Sequence, residues 1–120
     1  MLRLKHSLIN ALRGIRDLIR TQQNFVIELV VAALVLWAAY TLHLRALERV
    51  AVVMMVVFVL AAEAANSVLE NILDGVSRNF SPRFRAAKDM LAGITLIVAV
   101  GAAIVGLIIF YPYLRVLAGR

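Results

Sequence analysis

Long apolar runs separated by short charged stretches dominate the pattern of this chain. Three runs, at about residues 25–44, 50–73 and 90–111, approach the roughly 20 residues that an α-helix needs to cross about 30 Å of hydrocarbon. The first run contains a single charge, Glu28, near its start, and the third contains none. The pattern predicts an all-α integral membrane protein with three transmembrane helices, and Pro112 is expected to end the last helix.

The first 22 residues follow a different pattern, in which apolar residues recur at helical spacing between basic ones. The apolar positions are Leu4, Leu8, Leu12, Ile15 and Ile19. A basic amphipathic helix of this kind is typical of a segment that lies on an anionic membrane surface. The sequence therefore predicts a surface helix over residues 1–22, followed by the three spans, in one domain of residues 1–120.

Composition supports the membrane class and sets the orientation. Apolar residues make up 63% of the chain, against about 45–50% in soluble proteins. The absence of cysteine excludes disulfides and thiol chemistry. The net charge of +6 does not indicate a nucleic-acid partner, because the basic residues flank the apolar runs. Nine of them fall in the N-terminal segment and the 75–89 loop, which predicts that both face the cytoplasm.

The second apolar run continues directly into the polar stretch "EAANSVLENILDG". If Val50 marks the outer edge, Glu63 lies about 20 Å into the bilayer and Glu70 about 30 Å, at the cytoplasmic surface. Four polar residues of this stretch share one helix face within an arc of about 80°. They are Glu63, Asn66, Glu70 and Asp74.

This arrangement suggests phosphoryl transfer to a lipid. A carboxylate deep in the bilayer costs roughly 2.5–3.5 kcal/mol, so such residues are functional candidates. Glu63 is placed to act as a general base on a lipid alcohol, and Glu70 to bind Mg²⁺ shared with phosphates. Lys88 can neutralise phosphate charge, while Asp89 orients it or contacts the nucleotide. The alternative is a polar clamp or proton relay in a small membrane transport or scaffold subunit.

Two motifs also resemble a known family. "EAANSVLENILD" is similar to the E-x-x-N-[ST]-x-x-E-x-x-x-D segment of the small bacterial diacylglycerol kinase and undecaprenol kinase family, and "FRAAKDMLAG" to its R-A-K-D segment. The resemblance extends over nearly the whole chain. It implies an ATP-dependent lipid kinase that forms homotrimers with shared active sites. The "RNFSPRFRAAKDMLAG" segment looks more like the Gram-positive type, which favours undecaprenol over diacylglycerol as acceptor.

The resemblance also implies roles for individual residues. Glu63 would be the base for the lipid hydroxyl, Asn66 its polar neighbour, and Glu70 the Mg²⁺ ligand near the ATP phosphates. Asp74 would lie at the cytoplasmic mouth of the site. The contacts implied near nucleotide or lipid are Arg3, Lys88 and Asp89.

Two positions depart from the family pattern. The family usually has a second metal-binding glutamate where Gln22 stands. The amide oxygen of Gln22 can still ligate Mg²⁺, but it carries no charge. Glu28 is an imperfect substitute for a glutamate at position 22. It lies six residues further along the chain, so on a helix its side chain points about 240° away from that of Gln22. The loop lacks the usual acidic-Tyr-His run, although Phe80 retains an aromatic ring for an adenine contact.

Overall fold

A computed structural model of the chain describes residues 1–76 and 82–119, and this part of the chain folds into four α-helices. They are α1 (Leu2–Thr21), α2 (Gln23–Thr41), α3 (Ala46–Val76) and α4 (Pro82–Ala118). The all-α class predicted from the apolar pattern is confirmed. The central helix is α3, which packs against both α2 and α4, while α1 contacts α2.

Three of the helices in the described residues, α2, α3 and α4, are long and apolar enough to cross a membrane. They contain 19, 31 and 37 residues. At 1.5 Å per residue their lengths are about 28, 46 and 56 Å. Only α2 therefore matches the hydrocarbon thickness, and α3 and α4 extend beyond it. Large apolar side chains on their outer faces are exposed, as expected of surfaces that face lipid; they include Trp37, Phe58, Ile97 and Leu107.

The last helix does not end at Pro112, and the prediction that it would was wrong. Pro112 lies inside α4, which continues to Ala118. A proline within a helix removes one backbone donor and costs about 3 kcal/mol. The prediction considered only this local penalty. The next residue, Tyr113, packs on the core and donates a hydrogen bond to Glu48 of α3, and these contacts favour a continuous helix.

The predicted 75–89 loop is also shorter than expected. Helix α3 continues to Val76, and α4 begins at Pro82, a residue type favoured at the first helical position. Lys88 consequently lies on α4 and not in a loop. Hydropathy indicates where a helix leaves the membrane, whereas the charged residues after Pro82 are good helix formers that continue the helix into water.

The turn between α2 and α3 is held by a Schellman motif. His43 adopts the left-handed conformation with φ of 53°. The backbone N–H of Leu44 donates to the carbonyl of Ala39, and that of His43 to the carbonyl of Tyr40, each at 3.3 Å. Leu44 and Ala39 are buried together, which is the apolar contact that accompanies this motif. The motif therefore caps α2 and sets the direction in which α3 leaves it.

The hydrophobic core lies at this same end of the bundle. Its buried members come from α2, the turn, α3 and α4, and they are Ala39, Leu44, Val52 and Ile109. The polar link between Tyr113 and Glu48 lies beside this core. Glu48 also accepts a hydrogen bond from the backbone N–H of Arg45 at 3.1 Å. The end of the bundle opposite the polar stretch of α3 is thus closed by packing and by hydrogen bonds.

Tyr113→Phe is expected to lower the thermal stability of the detergent-solubilised protein by a few degrees. The variant keeps the packed ring but loses the hydrogen bond that joins α4 to α3. The midpoint of thermal unfolding, followed by circular dichroism, measures the change. Tyr111→Phe is the matched control, because Tyr111 is exposed on the same helix. Equal midpoints for the two variants would contradict this role of Tyr113.

Candidate functional site

Two buried polar side chains lie on the central helix α3. Glu63 is 5% exposed and Ser67 is 4% exposed, and both lie in the polar stretch identified from the sequence. Because they are four residues apart, they occupy the same helix face one turn from each other. Among the described residues they are the buried members of the polar and charged class. Helix α3 therefore holds a carboxylate and a hydroxyl inside the bundle.

Two further oxygen atoms near this face have no partner. Asn66 Oδ1 on α3 and Glu28 Oε2 on α2 are shielded from solvent, and within the described residues neither accepts a hydrogen bond. Leaving such an atom unsatisfied costs about 1–3 kcal/mol. Glu28 is also close enough to Glu63 for their charges to interact. The site thus combines carboxylates from two helices with acceptor atoms that remain free to bind a ligand.

The sequence did not predict this position of Glu28. It was considered only as a substitute for Gln22, whereas the structure brings it close enough to Glu63 for their charges to interact. Helix α2 is apolar on all sides, so its sequence does not mark which face meets α3. Ser67 was also missed as a site residue. The sequence did contain a signal for Ser67, because a residue four positions after Glu63 lies on the same helix face.

Towards the end of α3 the polar residues become exposed. Glu70 is partly buried and its charge interacts with those of Glu63 and Lys88. Asp74 is exposed, and its Oδ1 accepts a hydrogen bond from Lys88 Nζ at 2.8 Å. This ion pair joins α3 to α4. The structure therefore groups Glu63, Glu70, Asp74 and Lys88 in one graded series from the buried site to the surface.

The other candidate residues lie on α1, on α4 or at the connection between α1 and α2, or outside the described residues. Gln22 connects α1 to α2 in an extended conformation, and its Nε2 donates to Thr21 Oγ1 at 3.4 Å. Arg3 is exposed at the opposite end of α1 from Gln22. Asp89 is exposed on α4, next to Lys88. Phe80 lies outside the described residues.

The oxygen atoms of this site fit a hard cation that is shared with a substrate. Within residues 1–76 and 82–119, no three His, Cys, Asp or Glu side chains gather into a metal-binding group. Mg²⁺, however, is usually bound by one or two carboxylates together with water and substrate phosphates. Glu70 offers one carboxylate, and the unpartnered Oδ1 of Asn66 lies one turn away on α3. These donors suit such an ion better than a cage made only of protein ligands.

Comparison with known proteins identifies the family. The family model for prokaryotic diacylglycerol kinase matches residues 9–110. The chain belongs to the prokaryotic diacylglycerol kinase family. An undecaprenol kinase from Bacillus subtilis is 32% identical over 108 residues, which are 90% of this chain and 88% of that protein. A diacylglycerol kinase from Synechocystis sp. is 32% identical over 100 residues, 82% of this chain and 57% of that protein.

Membership of the diacylglycerol kinase family agrees with the helices. Its relatives are lipid kinases by name, and three apolar helices together with this family indicate a bacterial membrane protein. The family match contains Glu28 and the whole polar face of α3 as well as Lys88, whereas Arg3 precedes it. The buried carboxylate and the surface ion pair therefore both lie in the region that matches the family.

Proposed function

We propose that the protein transfers the γ-phosphate of ATP to the hydroxyl of a lipid alcohol within the cytoplasmic membrane. The observation that carries this proposal is the burial of Glu63, 5% exposed within an apolar helix whose same face continues to Glu70 and Asp74. A carboxylate at this depth is costly and is a functional candidate by default. Membership of a family of lipid kinases supports the same reaction.

In this mechanism Glu63 is the general base. The alcohol donates its proton to the Glu63 carboxylate as its oxygen attacks the γ-phosphorus. A new oxygen–phosphorus bond forms while the bond from the γ-phosphorus to the β-γ bridging oxygen breaks, so ADP leaves and Glu63 passes the proton to solvent. Asn66, one turn away, holds the alcohol or the carboxylate through its amide. Such a reaction depends mainly on positioning and on stabilising charge.

Glu70 is the proposed Mg²⁺ ligand, and Gln22 is a second, uncharged one. Mg²⁺ bound there would neutralise phosphate charge and hold the phosphates in line with the acceptor. Glu70 is suited to this role because it lies between the buried Glu63 and the exposed Asp74. The amide oxygen of Gln22 would add a ligand without adding charge.

The nucleotide is proposed to bind at the surface end of the series. Lys88 supplies a positive charge there, and its ion pair with Asp74 fixes the ammonium group between α3 and α4. The ATP phosphates would bind Lys88 either together with Asp74 or in its place. Asp89 and Arg3 are proposed as further contacts. Phe80 is proposed as an adenine contact from the sequence alone.

The chain is proposed to act as one domain in a homotrimer. Helix α1 would lie on the cytoplasmic surface, since its exposed apolar side chains need a lipid partner; they include Leu4, Leu8 and Leu12. The N-terminus and the connection between α3 and α4 would then face the cytoplasm. Active sites shared between neighbouring subunits belong to the same proposal, on the strength of the family resemblance.

Undecaprenol is the proposed main acceptor, with diacylglycerol as the alternative. The relative named undecaprenol kinase is matched over 88% of its length, whereas the relative named diacylglycerol kinase is matched over 57%. Both lipids present an alcohol near the membrane surface.

Purified protein incubated with γ-labelled ATP and Mg²⁺ should phosphorylate undecaprenol at least about tenfold more efficiently than diacylglycerol, a preference of about 1.4 kcal/mol. The two acceptors are offered in the same detergent micelles, and the labelled lipids are separated by chromatography. Preferential labelling of diacylglycerol would reverse the assignment of the acceptor. Absence of label in both lipids would contradict the kinase proposal.

A further inference from the structure

Each turnover of the proposed reaction leaves a proton on a buried carboxylate. The lipid alcohol gives its proton to Glu63 while its oxygen forms a bond to the γ-phosphorus and the bond to the β-γ bridging oxygen breaks. The lipid phosphate and ADP together carry one more negative charge than ATP, so one proton is released per turnover. Because Glu63 is buried, this proton does not pass directly to water. Glu63 has to lose it before it can act as a base again.

Water reaches α3 from the surface end of its polar face. Glu70 is half-buried and Asp74 is exposed, whereas every residue from 50 to 62, on the other side of Glu63, is apolar. Apolar side chains neither accept nor donate a proton. About 10 Å of helix axis separates Glu63 from Glu70, which exceeds the reach of one hydrogen bond. A group between these two positions is therefore needed to carry the proton.

Ser67 lies in this interval and is buried. It follows Glu63 by four residues and precedes Glu70 by three, so the three side chains share one face of α3. Side chains in a helix lean towards its N-terminus, which tilts the Ser67 hydroxyl back towards the turn that carries Glu63. The remaining residues of the interval are apolar except Asn66. Ser67 and Asn66 are thus the polar groups placed between the base and the surface.

A hydroxyl group can relay a proton, whereas an amide has to change its bonding to do so. The oxygen of Ser67 accepts and donates hydrogen bonds at the same atom, so it can take up one proton while it gives up another. In Asn66 the acceptor oxygen and the donor nitrogen are different atoms. A buried hydroxyl also costs free energy unless it forms hydrogen bonds. Alanine occupies positions 61, 62, 64 and 65 of α3, so serine at 67 indicates a use for its hydroxyl.

We propose that Ser67 relays the proton of the acceptor alcohol from Glu63 to water at the surface end of the polar face. The inference rests on the proposed kinase function and adds the step that restores the base. Protonated Glu63 donates its proton to the Ser67 oxygen as the Ser67 hydroxyl proton passes to a water molecule, and rotation of the hydroxyl then restores the starting arrangement. Ser67 acts through Glu63 and does not touch the substrate.

The alternative is a purely structural hydroxyl. A serine within a helix commonly donates its hydroxyl to the carbonyl four residues earlier, which here belongs to Glu63. Loss of such a bond would disturb the position of Glu63 and slow every turnover, including the first. Loss of a relay leaves the first turnover intact, because Glu63 begins it already ionised. The rate of the first turnover therefore separates the two roles.

Ser67→Val and Ser67→Thr test the relay as a matched pair. Both substitutions add the same bulk to α3, and only the second keeps a hydroxyl. The protein is mixed rapidly with γ-labelled ATP, Mg²⁺ and undecaprenol in detergent micelles, and the reaction is stopped with acid at short times. Ser67→Val should keep the first-turnover rate within about twofold and lose about tenfold or more of the steady-state rate. Ser67→Thr should keep most of both rates.

Two further measurements support the same assignment. In D₂O the steady-state rate of Ser67→Val should fall more than that of the unaltered protein, because a proton transfer has become rate-limiting, while the first turnover should respond equally in both. Ser67→Ala does not overfill the helix packing if Ser67→Val fails to fold. It leaves space that one water molecule can occupy, so the same pattern is expected with a smaller steady-state loss.

Three results would overturn the relay. They are equal losses of the first-turnover and steady-state rates in Ser67→Val, an unchanged steady-state rate in Ser67→Val, and a Ser67→Thr variant as slow as Ser67→Val. Each of them with an active unaltered protein contradicts the relay alone. An unaltered protein that phosphorylates no lipid contradicts the kinase proposal and the relay together.

Discussion

Glu63→Gln is expected to reduce lipid phosphorylation by about 10²–10⁴-fold, the usual contribution of a general base. The substitution preserves size and hydrogen bonding but removes the group that accepts the proton of the alcohol. The rate is measured with saturating ATP, Mg²⁺ and acceptor, so that the loss is assigned to kcat. Nucleotide binding should be retained, because Glu63 lies in the buried part of the site.

Glu48→Gln is the matched control for this variant. Glu48 lies at the other end of α3, and the amide oxygen of its variant can still accept the hydrogen bond from Tyr113. A folded Glu63→Gln protein with full activity would exclude Glu63 as the base. A Glu63→Gln protein that unfolds or dissociates while the control does not would instead favour the role of a polar clamp between helices.

Glu70→Gln is expected to raise the Mg²⁺ concentration needed for half-maximal activity about tenfold or more, because a charged oxygen ligand is replaced by a neutral one. Gln22→Glu should act in the opposite direction, since it supplies the second carboxylate that the family resemblance leads one to expect at this position. Activity is measured as a function of Mg²⁺ at fixed ATP for both variants.

The two substitutions together identify the ligand set. If Gln22 and Glu70 contribute to the same ion, adding Gln22→Glu to Glu70→Gln should restore part of the lost Mg²⁺ affinity. An unchanged Mg²⁺ dependence in Glu70→Gln would remove Glu70 from the metal site. An effect of Gln22→Glu on the KM for the lipid, with none on Mg²⁺, would place Gln22 elsewhere.

Much of the fold could be predicted because crossing a membrane requires long apolar runs. The runs at 50–73 and 90–111 lie within α3 and α4, the run at 25–44 lies within α2 except for its last three residues, and the class is all-α. The ends of the helices were predicted less well from the sequence. Pro112 was expected to end a helix, but the contacts of Tyr113 with α3 outweigh its local penalty. The start of α4 at Pro82 was missed because hydropathy reports on the membrane and not on the hydrogen bonding of a helix in water.

The candidate site was predictable along one helix but not between helices. The spacing of Glu63, Glu70 and Asp74 predicts their common face because all three lie on α3. Glu28 lies on α2, and the rotation of α2 against α3 follows from packing that leaves no periodic signal in a uniformly apolar helix. The ion pair of Lys88 with Asp74 likewise depends on how α4 returns along α3.

The short length of α2 makes the protein sensitive to the thickness of its host membrane. At about 28 Å, α2 is no longer than the roughly 30 Å of hydrocarbon in an average bilayer, and polar residues flank both its ends. A thicker bilayer would have to thin around it, at a cost of fractions of a kcal/mol per Å. The longer α3 could instead tilt. Glu28 lies on α2 and Glu63 on α3, so such hydrophobic mismatch would shift the two carboxylates relative to each other along the helices. The chain length of the surrounding lipids would therefore change the geometry of the site.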